Sequence, residues 1–218
     1  MKPVVIALIL IGVVAGVAAI WLAERAWWKR RRERWAAAAV ELGLSVVGGS
    51  ELLDRFGSLP LFEKGRDRRV RNLVRGSPGG PEVWIADYVY VTGGGKSQQQ
   101  HRATVCVLGA SGRPLPRFEL APEDPISHRL GPLVGIREVG FNDDPDFSKA
   151  YRVVGPDEAA IRAAFTPGVR SQLVQRPTRV AHLEAEGAAM LVHTGRLIDP
   201  GTARDLLQMA QEVRSYFA

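Results

Sequence analysis

Glu82-Val83-Trp84-Ile85-Ala86-Asp87-Tyr88-Val89-Tyr90-Val91-Thr92 is the run on which the fold turns. β-Branched and aromatic residues dominate it, and both of its period-two faces are apolar. It therefore reads as a strand packed on each side, central in a sheet. The turn-rich Gly76-Ser77-Pro78-Gly79-Gly80-Pro81 precedes it, and before that Arg68–Arg75 reads as a second strand. On the other side Gly93-Gly94-Gly95-Lys96-Ser97 and three glutamines break the run, and His101–Leu108 returns as a third. Consecutive strands joined in this way argue an antiparallel meander. Arg117–Leu120, after Pro114 and Pro116, reads as a further short strand.

Beyond this sheet the pattern is mixed. Pro145–Tyr151 reads as a short helix with Asp144 as its cap. Pro156 and Pro167 stand where first helical turns begin, and Asp157 and Glu158 suit the positive end of the first dipole. Ala160, Ile161, Ala164 and Phe165 keep helical spacing. Two short strands are expected around Val180–Glu184 and Ala188–His193. A last helix has Asp199 as cap and Pro200 at its first position, with Ala203, Leu206, Leu207, Ala210, Val213 and Phe217 as its buried stripe. The class is α+β: a mainly antiparallel sheet with flanking helices and a C-terminal helix, in one domain over residues 44–218.

Ahead of this domain, Val4 to Ala23 (VVIALILIGVVAGVAAIWLA) is 20 residues without a charge. As a helix it spans roughly 30 Å, the hydrocarbon thickness of a bilayer. A cleaved signal peptide has a shorter apolar core ending at small residues. Here Ile20, Trp21 and Leu22 occupy that place, so residues 1–23 read as an uncleaved transmembrane anchor. Residues 24–43 continue as a basic juxtamembrane helix, with Trp35, Ala38, Ala39 and Leu42 at 3–4 spacing and Gly43 closing it. Six Lys and Arg follow the span within residues 24–35, against Lys2 before it. The positive-inside rule then puts the N-terminus outside and the C-terminal domain in the cytoplasm, on a single-pass protein of the cell (inner) membrane. Trp27, Trp28, Lys29, Arg30, Arg31, Arg32 and Arg34 are expected at the bilayer surface against anionic lipid, with Trp21 in the interfacial belt. Gly12 and Gly16 form a small-xxx-small pair, a candidate homodimer face, as do Ala15 and Ala19.

A pI near 9.9 invites a nucleic-acid reading until the charge is located. Of the formal +6, Lys2 carries one and residues 24–35 carry four, leaving +1 for residues 36–218. A nearly neutral domain argues against nucleic acid as partner. One other basic cluster remains. If Arg68–Arg75 is a regular strand, Arg69, Arg71 and Arg75 share a face with Leu73, while Arg68, Val70, Asn72 and Val74 share the other. That Arg stripe suits anionic headgroups or an acidic partner; a solvated sheet face explains it as well.

The remaining motifs argue against several chemistries. Gly95-Lys96-Ser97 ends like a phosphate-binding loop, but Tyr90 stands where the first glycine belongs, and a strand follows instead of a helix. Asn142-Asp143-Asp144-Pro145-Asp146 lacks the Gly and distal Glu of a calcium loop, and helix capping accounts for it. Gly109-Ala110-Ser111-Gly112 is not a nucleophile elbow. Cys106, the single cysteine, lies in an apolar strand as inert packing. His101, His128, His182 and His193 show no metal-ligand spacing, although His182 and His193 can face each other across a hairpin. Neither a metal nor another cofactor is expected. Asp87, inside the apolar run, must be paired or protonated; an Arg or a helix end satisfies it.

Asp87-Tyr88-Val89-Tyr90, Leu115-Pro116-Arg117-Phe118-Glu119-Leu120 and Asp146-Phe147-Ser148-Lys149-Ala150-Tyr151-Arg152-Val153-Val154-Gly155, behind a membrane helix, resemble segments of uncharacterised bacterial single-pass membrane proteins. The resemblance covers roughly residues 40–217 and implies no activity or site residue. The expected function is a membrane-tethered, non-enzymatic domain that binds a protein partner. An enzyme acting on a lipid or envelope precursor, through Asp87 or a histidine, is the alternative.

Overall fold

The computed structural model describes residues 3–109, 113–123, 137–176, 178 and 180–218, with side chains from residue 10 onward. One helix, α1 (Pro3–Leu42), passes unbroken from the apolar span into the domain. It stops at Gly43, whose φ of +68° closes the helix while Leu44 N–H donates to the Ala39 carbonyl at 2.8 Å. Residues 10–22 expose Leu10, Ile11, Val13, Val14, Val17, Ile20, Trp21 and Leu22 by 57–72%. A contiguous apolar surface of that extent is stable only against lipid or another protein. By length and composition, α1 can cross a membrane.

Next come β1 (Ser45–Val46), α2 (Ser50–Phe56), α3 (Pro60–Glu63), β2 (Arg66–Gly76), β3 (Val83–Thr92), β4 (Gln99–Leu108), β5 (Leu115–Pro122) and β6 (Arg137–Glu138). They are followed by α4 (Pro145–Ala150), β7 (Tyr151–Gly155), α5 (Glu158–Ala164), α6 (Pro167–Gln175), β8 (His182–Gly187), β9 (Ala189–His193) and α7 (Ala203–Tyr216). The described strands form one sheet in the order β1-β2-β3-β4-β9-β8-β5-β7-β6, with every ladder antiparallel. This is the expected α+β class, with β3 central and buried on both faces.

The simple meander ends at β4. That strand pairs with β9, and β5 lies between β8 and β7. The helix expected through Tyr151 ends one residue earlier, because Tyr151–Gly155 alternates inward and outward as β7.

The sheet separates two cores. On one face lie Trp35, Ala38, Ala39 and Leu42 of α1, the whole expected stripe of α7, and an aromatic cluster of Phe118, Phe147, Phe165 and Phe217. On the other, α2 and α3 set Leu52, Phe56, Leu61 and Phe62 against Leu73, Trp84, Tyr88 and Leu191. Each such side chain stabilises the fold by about 1.5–3 kcal/mol.

Two irregularities in β2 correct the reading of its arginines. Asp67 and Asn72 have φ of +52°, and the register with β3 slips beside each. Arg71 sits opposite Asp87, but after the bulge Val74 sits opposite Ile85 and Arg75 opposite Trp84. A bulge moves every later side chain to the other face. Arg69 and Arg71 therefore lie on the α1 face, while Arg75 and Leu73 lie on the α2 face, with Arg75 stacked over Trp84 and paired to Glu51. The three-arginine stripe does not exist as one surface.

Candidate functional site

The seat of α1 on the sheet is built around Asp87, which is wholly buried on the α1 face of β3. Arg31 binds it in a fork, Nε to Oδ2 at 2.7 Å and Nη2 to Oδ1 at 2.6 Å. Trp35 Nε1 at 3.0 Å, Asn72 Nδ2 at 2.8 Å and Thr104 Oγ1 at 2.8 Å complete the donors. The bulge at Asn72 turns that amide toward the carboxylate, which explains a left-handed residue in mid-strand. With five donors on two oxygens, Asp87 is a fully satisfied anion that locks α1, β2, β3 and β4 together. Asp87 is closed off from solvent in this arrangement.

Below this lock, α1 runs antiparallel to β3 toward the β3–β4 hairpin and out of the domain. Trp28 divides the space between helix and sheet into two clefts. The first, of about 490 Å³, is lined by Trp21, Glu24, Arg25 and Trp28 of α1 against Arg69, Arg71, Val89, Val91, Gln100 and Arg102 of the sheet. The second, of about 760 Å³, lies beyond Trp28, between Lys29 and Arg32 on the helix and Val47, Val70 and Leu73 below. Register explains the floor: Arg69, Val89 and Arg102 form one cross-strand row, and Arg71, Asp87 and Thr104 form the next. Arg71 stacks over Trp28 at 4.4 Å. Arg102 donates to Glu24 at 3.0 Å, and Trp28 Nε1 donates to the same oxygen at 3.4 Å.

These contacts re-sort the residues expected at the bilayer surface. Trp28 and Arg31 fold inward and are buried, because they continue the helical stripe of Trp35, Ala38, Ala39 and Leu42 toward the N-terminus. Trp27, Lys29, Arg30, Arg32 and Arg34 remain exposed, and Arg34 pairs with Asp199. Gly12 and Gly16 lie on the protruding part of α1, with no atom within 4 Å of where a Cβ would stand.

A second polar group, not anticipated as such, sits on the opposite face. Glu184 is completely buried; its Oε2 accepts from Leu61 N–H at 2.7 Å, and its Oε1 lies 3.9 Å from Lys64 Nζ. Lys64 donates to Glu119 at 2.6 Å. His182 and His193 stack at 4.3 Å between ring centres, as their spacing suggested, and His193 Nδ1 accepts from Gly195 N–H. Burial, with Glu119 beside it, pushes the Glu184 carboxyl up to about 8 against the pull of Lys64 and Leu61. Burial holds both imidazoles below their ordinary value, His193 well below. The signal in the sequence is an acid flanked by the apolar Leu183 and Ala185 within β8.

These directions predict a stability maximum in pH. The folded Glu184 keeps a proton that the unfolded chain has lost above about 4.5, so its contribution is complete below that value and lost as pH rises through about 8. Below about 6.5 the unfolded histidines take up protons that the folded ones refuse, so acid also weakens the fold. Stability should peak near the ordinary histidine value, about 6.5, and fall by up to about 2 kcal/mol toward pH 8. Glu184→Gln keeps an acceptor for Leu61 N–H and should flatten that alkaline limb. Denaturant titrations on both sides of the peak decide; equal falls in both chains would mean that Glu184 carries no proton in the fold.

The other candidates resolve simply. Gly95–Ser97 is a 3-10 turn in the β3–β4 hairpin. Asp144 caps α4 through Phe147 N–H at 3.1 Å, and Asp143 pairs with Arg170. Cys106 is fully buried, and burial pushes its thiol up to about 12. Among the described residues no three His, Cys, Asp or Glu side chains are placed to share a metal ion. Ser111 and His128 lie outside the described residues.

With this geometry established, the chain was compared with known proteins. No family model matches it, and no curated protein is significantly similar. Among solved structures, a crystal structure of the mycobacterial trehalose monomycolate transport factor A, TtfA, is similar, with a TM-score of 0.60. The likeness covers 86% of this chain and 92% of that one at 17% sequence identity, so it is a likeness of fold.

Proposed function

We propose that this protein is a membrane-anchored, non-enzymatic partner protein in the transport of an envelope lipid. In this reading α1 crosses the cell (inner) membrane once, N-terminus outside, and the α+β domain lies on the cytoplasmic face of a bacterial cell against a protein partner. The observation that carries it is the continuity of α1: the helix that leaves the domain as an exposed apolar rod is held to the sheet by the buried Arg31–Asp87 fork. Such a helix sets the domain's height and orientation over the bilayer, where a freely jointed tether would set only its concentration. The basic residues after the span support the orientation. The fold shared with a trehalose monomycolate transport factor supports the lipid-transport context. The open Gly12–Gly16 face leaves room for a second helix, its own or the partner's.

Depletion in the native cell tests this. An envelope lipid should accumulate at the inner membrane as the protein disappears, and cross-linking in intact membranes should join the domain to an integral membrane protein handling that lipid. Protease added outside intact cells should spare the domain. Unchanged lipid distribution on depletion would sink the transport role, and digestion of the domain would sink the orientation.

A further inference from the structure

The first cleft has a feature that the seating of α1 does not require. Four arginines and two glutamines converge there, and the two acids that line it are already engaged: Glu24 by Arg102 at 3.0 Å and Asp67 by Arg66 at 3.8 Å. Arg25, Arg69 and Arg71 remain, and among the described residues none has a carboxylate within 4 Å. Arg71 is held by stacking on Trp28, and Arg25 lies 5.4 Å from the Trp21 ring centre. Two cations stacked on aromatic rings, with Arg69 beside them on the strand floor, surround a void of about 490 Å³ and suit an anion of headgroup size.

Position narrows the anion to one source. The α1 residues in the lining are Trp21, Glu24, Arg25 and Trp28, one face of the helix over two turns. Trp21 belongs to the uncharged span and Glu24 is the first charge after it, so the cleft straddles the boundary between hydrocarbon and water. A lipid whose phosphate sits between Arg69 and Arg71 would lay its acyl chains along the exposed Val17, Ile20 and Trp21. A soluble anion would gain the arginines but not that apolar surface.

We infer that the cleft between α1 and the β2–β4 floor binds the phosphate headgroup of an anionic phospholipid in the leaflet on the domain's side, with Arg25, Arg69 and Arg71 as its cationic contacts. This rests on the reading of α1 as a membrane span. It gives the domain a lipid ligand distinct from its protein partner.

The test uses the full chain in phosphatidylcholine nanodiscs containing a minor share of phosphatidylglycerol, with lipid retained on release counted by native mass spectrometry. The wild-type chain should retain phosphatidylglycerol in preference to phosphatidylcholine. R69Q/R71Q should lower that preference at least about tenfold, since each charged contact is worth a factor of that order. K96Q/K149Q removes the same charge from exposed positions outside the cleft and should change nothing. If R69Q/R71Q melts lower because Arg71 leaves Trp28, R69Q alone, at an exposed position, carries the comparison. Equal losses in the two double variants would reduce the effect to diffuse attraction and overturn the site. So would equal retention of both lipids, or occupancy by glycerol 3-phosphate added to pure phosphatidylcholine discs. Unchanged retention in R69Q/R71Q with loss of a cross-linked acidic protein would make the cleft a protein-docking surface instead. A chain that never enters the discs tells against the membrane span itself.

Discussion

Asp87→Ala is expected to cost the fold about 3–5 kcal/mol, because it strands the Arg31 guanidinium in a buried site with no anion. Trp35 Nε1, Asn72 Nδ2 and Thr104 Oγ1 lose their acceptor in the same step. Each unsatisfied buried donor adds about 1–3 kcal/mol unless water enters the gap. A total of that size is a large share of the roughly 5–15 kcal/mol that holds a domain together. Arg31→Met should cost a similar amount, by leaving the carboxylate without its fork. The Arg31→Met/Asp87→Leu pair should recover part of the loss, since two apolar groups carry no desolvation debt. Urea midpoints of the wild type, Arg31→Met, Asp87→Leu and the pair form a double-mutant cycle. Additive losses, with no recovery in the pair, would mean that the fork does not couple the helix to the sheet.

This lock was half legible in the sequence. A lone aspartate in an apolar run announces a buried anion, and Trp35, Ala38, Ala39 and Leu42 announce the helix face that meets the sheet. Extending that stripe by one turn reaches Arg31, and by another Trp28. The dense run Lys29–Arg34 hid this, because five cations beside a membrane span have a sufficient explanation in lipid. Helical periodicity discriminates among them: only Arg31 falls on the stripe, and it is the one the fold buries.

The strand arginines failed for a different reason. Period two assigns faces correctly until a bulge intervenes, and a bulge at an asparagine leaves no mark in the hydrophobic pattern. Asn72 tolerates a left-handed backbone and gains the Asp87 hydrogen bond there, so the bulge follows from a tertiary contact. The pairing of β4 with β9 and the insertion of β5 beside β8 are likewise long-range choices that adjacent-strand reasoning cannot reach. The Glu184 group shares this origin, since Lys64, Glu119 and Glu184 meet only once β5, β8 and α3 are assembled.

The largest expected effect concerns where the domain begins. A chain starting at Glu24 keeps Trp28, Arg31 and Trp35 and should unfold in one cooperative transition, having lost only the exposed apolar rod. A chain starting at Ala36 loses all three. Asp87 is then a buried carboxylate without its cation, a loss of about 3–5 kcal/mol. Removal of Trp35, 1% exposed in the first core, adds about 3–5 kcal/mol of the kind seen when a large aromatic is deleted. Together these approach the whole stability of an ordinary domain. The Ala36 chain should therefore show weakened near-ultraviolet dichroism and rapid amide exchange in β3 and β4, while its sheet content partly survives. A melting temperature within a few degrees of the Glu24 chain would refute the claim that α1 is part of the core. The distinction decides how tethering can be studied at all. Loss of a partner on cutting at residue 36 would report an unfolded sheet, whereas loss on cutting at residue 24 would report the membrane.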